Sequence, residues 1–275
     1  MQMEQTEDYT IDLERIIKSR TGRNKVPRWV VGAANRFFHT DYINGFLSQG
    51  YEGIEFCHRC MEYMNVTIHT EGLEELKNKL PSDAGVTFVS NHPLGGVDGV
   101  ALIGIIGSSF DREVRLLVND FLMSVKGLAP MCVPVNKMGA QSRSLPEMME
   151  GIYSGRNNLL IFPAGACSRV IDGEIQDRKW NKSFIKYSRD YNRWIVPVHF
   201  FGRNSPHFYR IDKLCRLFHI KFNLPMFYLP DELYRARGGS YRVVFGDPMP
   251  PESFDESRGC AQWADYVRDI VYKLE

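Results

Sequence analysis

An α/β fold is predicted for this chain of 275 residues: a mainly parallel central sheet covered by helices, with a helical N-terminal lead-in. Three observations predict it. From residue 86 onward, short apolar runs alternate with longer segments that carry helix or turn signals. These runs show little polar face, as strands buried on both sides should. Before residue 80, apolar residues recur at helical rather than strand spacing. At a typical ~100–200 residues per domain, the length allows one large domain or two small ones. The chain divides into a lead-in over 1–80, packed on the core, and a main domain over 81–275.

The elements follow in order. Tyr42, Ile43, Phe46, Leu47, Tyr51, Ile54, Phe56, Met61 and Met64 recur at near-helical intervals, and Gly72 to Leu80 reads as a short polar helix stopped by Pro81. Strands are expected at Val86–Ser90, Val114–Val118, Met131–Val135, Asn158–Phe162, Trp194–Phe200 and Tyr241–Gly246. No internal repeat or low-complexity stretch separates them.

Composition removes several classes. Charged residues at 24% and hydrophobic residues at 44% exclude a disordered or fibrous chain, and a net charge of +1 disfavours a nucleic-acid binder. No stretch reaches the roughly 18 uncharged apolar residues of a membrane span. The first residues are acidic where a signal peptide is basic, so the expected location is cytoplasmic. Six cysteines are too sparse for a disulfide scaffold; Cys57 and Cys60 form a CxxC without a second pair, and buried thiols are expected there.

Ligands of open α/β sheets bind beyond the carboxyl ends of strands, so the residues after each run carry the functional reading. After Val86–Ser90 comes Asn91-His92-Pro93-Leu94-Gly95-Gly96-Val97-Asp98-Gly99. A lone His beside a strand is more often a hydrogen-bonded structural residue. Here an Asp follows six positions on, and a Gly-Gly turn can fold its carboxylate against the imidazole. Such an Asp fixes the tautomer through Nδ1 and frees Nε2 to accept a proton from an alcohol. The chain has no GxSxG elbow. The simplest remaining chemistry has His92 deprotonating a substrate hydroxyl that attacks an activated acyl group directly.

NHPLGGVDG, the later FPAGACSR and the Pro-bearing IVPVHF run together resemble the lysophosphatidate-type glycerolipid acyltransferases, whose marks are an NHxxxxD block and an FPEGTRS block. The resemblance covers roughly residues 84–250. It is closest to a hemolysin-like bacterial branch that includes enzymes completing ornithine and glycine lipids, in which spaced Asp, Trp and Phe residues follow the second block, here Asp177, Trp180 and Phe184. Two departures stand out. Five residues separate His92 from Asp98 in place of four, and Ala164 replaces the family Glu, which points from lysophosphatidate toward an acceptor such as a lyso-amino-acid lipid.

The resemblance implies an acyltransferase domain over 81–275 that moves a fatty acyl group from acyl carrier protein or coenzyme A to a lyso-lipid hydroxyl, with no bound cofactor or metal. It makes His92 the base and Asp98 its partner. Arg169 and Lys137 would hold the acceptor's anionic group, with Gly165 and Ser168 beside them. Backbone N–H groups of the His92–Gly99 turn or the Gly165 loop are candidate oxyanion donors, at about 3–4 kcal/mol each. Between Arg169 and Lys221 lie 12 Lys or Arg against 5 Asp or Glu, interleaved with aromatics. That suits an anionic membrane surface, an acidic acyl carrier protein, or merely a solvated face; nucleic acid is disfavoured because no recognition motif accompanies the patch. The amphipathic stretch Trp29–Phe38 is a second candidate membrane anchor, and the expected location is peripheral on the inner face of the cell membrane. A non-catalytic lipid or acyl-carrier binder and a thioester or ester hydrolase are the competing functions.

Overall fold

The computed structural model describes residues 9–22, 25–118, 125–134, 145–220 and 224–275. The lead-in forms α1 (Leu13–Thr21), α2 (Arg28–Phe37), α3 (Thr40–Leu47), α4 (Gly53–Tyr63) and α5 (Leu73–Lys79). It also contains a strand, β1 (Thr67–Glu71), which corrects the expectation that this region is helical throughout. β1 is polar and mostly exposed, so it carries no apolar run; its pairing with β9 (Ser240–Phe245) makes it a strand.

The remaining elements are β2 (Val86–Ser90), α6 (Val97–Ser109), β3 (Val114–Val118), β4 (Cys132–Pro134), α7 (Leu145–Tyr153), β5 (Asn158–Ile161), β6 (Arg169–Ile171), β7 (Glu174–Gln176), α8 (Ser183–Asp190), β8 (Trp194–Phe201), α9 (Pro206–Leu217), α10 (Leu229–Arg235) and α11 (Cys260–Lys273). The main sheet runs β1-β9-β8-β2-β5-β3-β4. Its neighbours pair in parallel except β8 with β9. All six strands read from apolar runs are present, within a residue or two at their ends. β6 and β7 form a separate antiparallel hairpin closed by Asp172-Gly173, both at positive φ, as a two-residue hairpin loop requires.

Successive residues of β2 face opposite sides, so each sheet face has its own core. Phe88 joins Leu102, Ile103 and Ile106 of α6 and Phe56 and Cys57 of α4 on one side. Val89 joins Phe184 and Ile185 of α8 and Val267 and Val271 of α11 on the other. The first cluster crosses residue 80 without a break. Helix α6 is apolar nearly all round because it lies between the sheet and α4. Its glycines let α4 come close: a Cβ at Gly107 would collide with the Ile54 side chain. Cys57 and Cys60 are buried on α4, and burial pushes Cys60 up to about 12 and Cys57 higher still, so both are unreactive thiols.

Opposite the site end of the sheet, Arg193 is fully buried. Its guanidinium donates to the Val86, Tyr153, Gly155 and Asn157 carbonyls and to Thr87 Oγ1, tying the starts of β2, β5 and β8 together. Burial lowers its pKa to about 10. This end is held by main-chain acceptors, and the His92 and Arg169 loops lie at the other.

Candidate active site

The register Val89↔Ile161 between parallel β2 and β5 brings the loops after both strands out side by side. Asn91 closes the first of them. Its buried side chain accepts from the Phe200 N–H at 2.8 Å and donates to the Phe200 carbonyl at 3.0 Å, acting as a substitute peptide that adds one rung between β2 and β8. His92 leaves the sheet immediately afterwards.

The Gly-Gly turn then does what its sequence predicts. Gly95 takes φ 76°, and a Cβ there would meet Leu229 Cδ2 at 2.9 Å and Cys167 Cβ at 3.1 Å, so glycine is required both by conformation and by space. The turn delivers Asp98, in the first turn of α6, to His92, with Nδ1···Oδ2 at 3.0 Å. Asp98 is fully buried and accepts four backbone hydrogen bonds besides: from Leu94 (2.9 Å) and Gly95 (3.3 Å) on Oδ2, and from Gly96 and Gly99 (3.0 Å each) on Oδ1. Burial raises its carboxyl pKa, but His92 and these N–H groups outweigh burial and hold it below the usual range.

His92 itself is 17% exposed. Its ring stacks on Phe162 at 4.0 Å between centroids, and among the described residues Nε2 makes no hydrogen bond. Burial lowers its pKa, whereas the charges of Asp98 and Asp177 raise it more and Arg169 opposes them; the net direction is upward. A ring anchored through Nδ1, with Nε2 on the open edge, is arranged to take a proton from a bound hydroxyl and to carry it as imidazolium.

The amides of the His92–Gly99 turn were candidate oxyanion donors. Leu94, Gly95, Gly96 and Gly99 spend their N–H groups on Asp98, and Gly165 donates to the Phe162 carbonyl at 2.9 Å. Gly165 is exposed at φ 66°, with no atom within 4 Å of where its Cβ would stand. Ser168 is buried: its N–H donates to the His92 carbonyl at 2.8 Å and its hydroxyl to Asp177 Oδ1 at 2.6 Å. Lys137 lies outside the described residues.

Arg169 is buried, not presented to solvent. Its Nε donates to Asp212 Oδ1 at 2.9 Å, Nη1 donates to the Cys167 carbonyl at 2.8 Å, and the guanidinium lies 4.7 Å from the Phe208 ring centre. Asp212, on α9, is shared: Arg216 Nε stands 3.1 Å from Oδ2 and Arg178 Nη2 stands 3.9 Å from Oδ1. Three guanidiniums thus surround one buried carboxylate, and Arg178 (57%) and Arg216 (48%) remain largely exposed. Asp212 has no sequence signal, because it reaches Arg169 only through the packing of α9 against β6. Phe162 and Asn91 stood inside quoted motifs, yet only the strand register assigns them their work. Among the described residues, no group of His, Cys, Asp and Glu is placed to hold a metal ion.

A histidine–aspartate pair at the carboxyl ends of central parallel strands, beside a cluster of arginines, fits the class of hydroxyl-to-acyl transfer enzymes, and comparison with known proteins agrees. The Acyltransferase family profile matches residues 17–275, and the chain belongs to that family. It is 44% identical to the lyso-glycine lipid O-acyltransferase of Phocaeicola vulgatus over 97% of this chain and 95% of that one. The enzyme of the same name from Bacteroides thetaiotaomicron is 43% identical over 97% and 98% of the two chains. The fold is shared with the 1-acyl-sn-glycerophosphate (LPA) acyltransferase PlsC of Thermotoga maritima, with a TM-score of 0.50 and 17% identity over 80% of this chain and 77% of that one.

Proposed function

We propose that the protein transfers a fatty acyl group from an acyl thioester, carried on acyl carrier protein or coenzyme A, to the hydroxyl of a lyso-amino-acid lipid of the glycine type. The observation that carries this is the His92–Asp98 pair with its open Nε2. Nε2 takes the acceptor's hydroxyl proton as the oxygen attacks the thioester carbonyl. The tetrahedral intermediate expels the thiolate, which recovers the proton from the His92 imidazolium. Asp98 stabilises that imidazolium and keeps the tautomer. The thioester supplies the driving force, and no step calls for a bound cofactor.

The acceptor's anionic head group is assigned to the arginines around Asp212. Arg169 is the buried anchor of that cluster and Arg178 and Arg216 are its exposed arms; a carboxylate suits such forked donors. Ala164 leaves no carboxylate at the family Glu position to repel it. Replacing Arg178 and Arg216 together with alanine is expected to raise the acceptor KM roughly tenfold, leaving the donor KM in place; an unchanged acceptor KM contradicts the assignment. Lys137 keeps its place as a further candidate for this group.

Docking on an anionic membrane surface completes the reading. No helix among the described residues is long and apolar enough to cross a membrane. Helix α2 buries none of its side chains and leaves Trp29 77% exposed, while Leu214, Leu217, Phe218, Ile220 and Phe227 form a second exposed apolar group. Phe37 packs edge-to-face on Tyr228 and joins the two. Arg210, Lys213 and Arg216 stand exposed on α9 beside this surface, each contributing on the order of 1 kcal/mol near anionic lipid. By contrast Trp180, Phe184, Phe200 and Phe208 of the same basic stretch are core residues and take no part. Trp29→Glu combined with Leu217→Glu is expected to weaken co-sedimentation with phosphatidylglycerol-containing vesicles about tenfold or more; equal sedimentation contradicts the docking face.

The deciding experiment offers labelled acyl carrier protein thioester or acyl-CoA together with lyso-glycine lipid, lyso-ornithine lipid and lysophosphatidate. Label in the glycine lipid supports the proposal. Label in free fatty acid alone identifies a hydrolase, and label staying on the donor identifies a binding protein.

A further inference from the structure

Asp177 is a buried carboxylate outside the base pair. Its Oδ1 accepts from the Ser168 hydroxyl at 2.6 Å and from the His92 N–H at 3.3 Å, and its Oδ2 accepts from Trp180 Nε1 at 3.0 Å. Its own peptide is tied to α11: the N–H donates to the Tyr272 hydroxyl at 2.7 Å, and the carbonyl accepts from Arg268 Nη2 at 3.0 Å. With the Ser168 N–H on the His92 carbonyl, the base is held at both sides of its backbone. Packing alone does not call for this arrangement, since an apolar side chain against Trp180 avoids the cost of burying a carboxylate. Three donors face the group, the setting an ionised, acceptor-only carboxylate needs.

We infer that Asp177 is a positioning residue for the His92 base: it clamps the peptide that carries the imidazole and stands as a second negative charge beside the ring. The proton affinity of His92 then answers to two carboxylates. The inference rests on the reading of His92 as the base. Asp98 on α6 and Asp177 raise the affinity of His92 for a proton, and Arg169 on β6 lowers it. Asp177 in turn faces Tyr272 and Arg268 on α11 and His199 on β8; burial pushes its carboxyl above the usual range, against the pull of Ser168, Trp180 and His92. Neutralising Asp177 therefore lowers the His92 pKa, and the neutral, basic form of the ring persists to lower pH.

The test is Asp177→Asn, read in two ways. In ¹⁵N-histidine-labelled protein the His92 ring titration is expected to move down by roughly half to one pH unit. In acyl transfer the acidic limb of the kcat profile follows it, while the plateau falls about tenfold because the ring is held less firmly. Asp177→Glu restores the charge and brings the titration back toward wild type. A lowered Tm with the ring titration and the acidic limb both unmoved makes Asp177 a merely structural residue and overturns the inference. The ring titration needs no turnover, so a protein that transfers no acyl group but shows the shift loses the proposed function and keeps the coupling. Should Asp177→Asn not fold, Ser168→Ala retains the carboxylate and removes its hydroxyl donor; a several-fold fall in kcat with KM unchanged supports the clamp, and an unchanged kcat overturns it.

Discussion

Replacing His92 with alanine is expected to lower acyl transfer about a thousandfold, the middle of the range for removal of a general base, and to leave the melting temperature within a few degrees of wild type. The side chain touches Phe162 and Asp98 and is not a keystone of either core. Initial rates of label transfer alongside a thermal melt check both halves; appreciable turnover by a well-folded Ala variant removes the base assignment. The sign of the wild-type pH dependence follows from the same contacts. In the proposed role His92 accepts a proton only when neutral, and the charges of Asp98 and Asp177 raise its pKa in the fold. The rate therefore climbs with pH through an acidic limb that lies above the ordinary histidine value, and a limb at or below that value contradicts the pairing.

Asp98→Asn is expected to lose both activity and stability, and this separates it from the His92 variant. Each carboxylate oxygen of Asp98 accepts at least two hydrogen bonds, and none of its five partners is an acceptor when His92 presents Nδ1–H. An Asn of the same shape must aim its NH₂ group either at the Gly96 and Gly99 amides or at the Leu94 and Gly95 amides and the imidazole. Two or more buried donors then face a donor, at a cost of about 2 kcal/mol or more, which is a drop in Tm of several degrees at this chain length. The imidazole loses its acceptor, so transfer falls about a thousandfold or more. Full activity, or full activity recovered at higher pH with an unchanged Tm, contradicts the role.

How much of this is legible in the sequence depends on how local the cause is. The central strands β2, β5 and β8 are legible because they are buried on nearly every position, so their letters are apolar with few interruptions. β1 is not: Thr67–Glu71 is an exposed polar edge whose extended form is set by a partner more than 170 residues away. The β6–β7 hairpin carries a readable sign, the turn pair Asp172-Gly173, but its three-residue strands are too short to show as apolar runs. The His92–Asp98 contact is legible because the Gly-Gly turn lies between the two residues. The surroundings of Arg169 are not, because its partner Asp212 is 43 positions on and arrives by helix packing. Asp177 stood in a quoted motif without a role, and only its three donors supply one.

The pairing of β1 with β9 also bears on how such a protein can be recombined. A crossover at residue 80 that imports 81–275 from a relative leaves β9 with its outer edge facing a strand shaped for another partner, across five paired positions from Thr67↔Ser240 to Glu71↔Val244. The segment that can be inherited whole begins upstream of Thr67, so that the edge strand travels with the strand it pairs with.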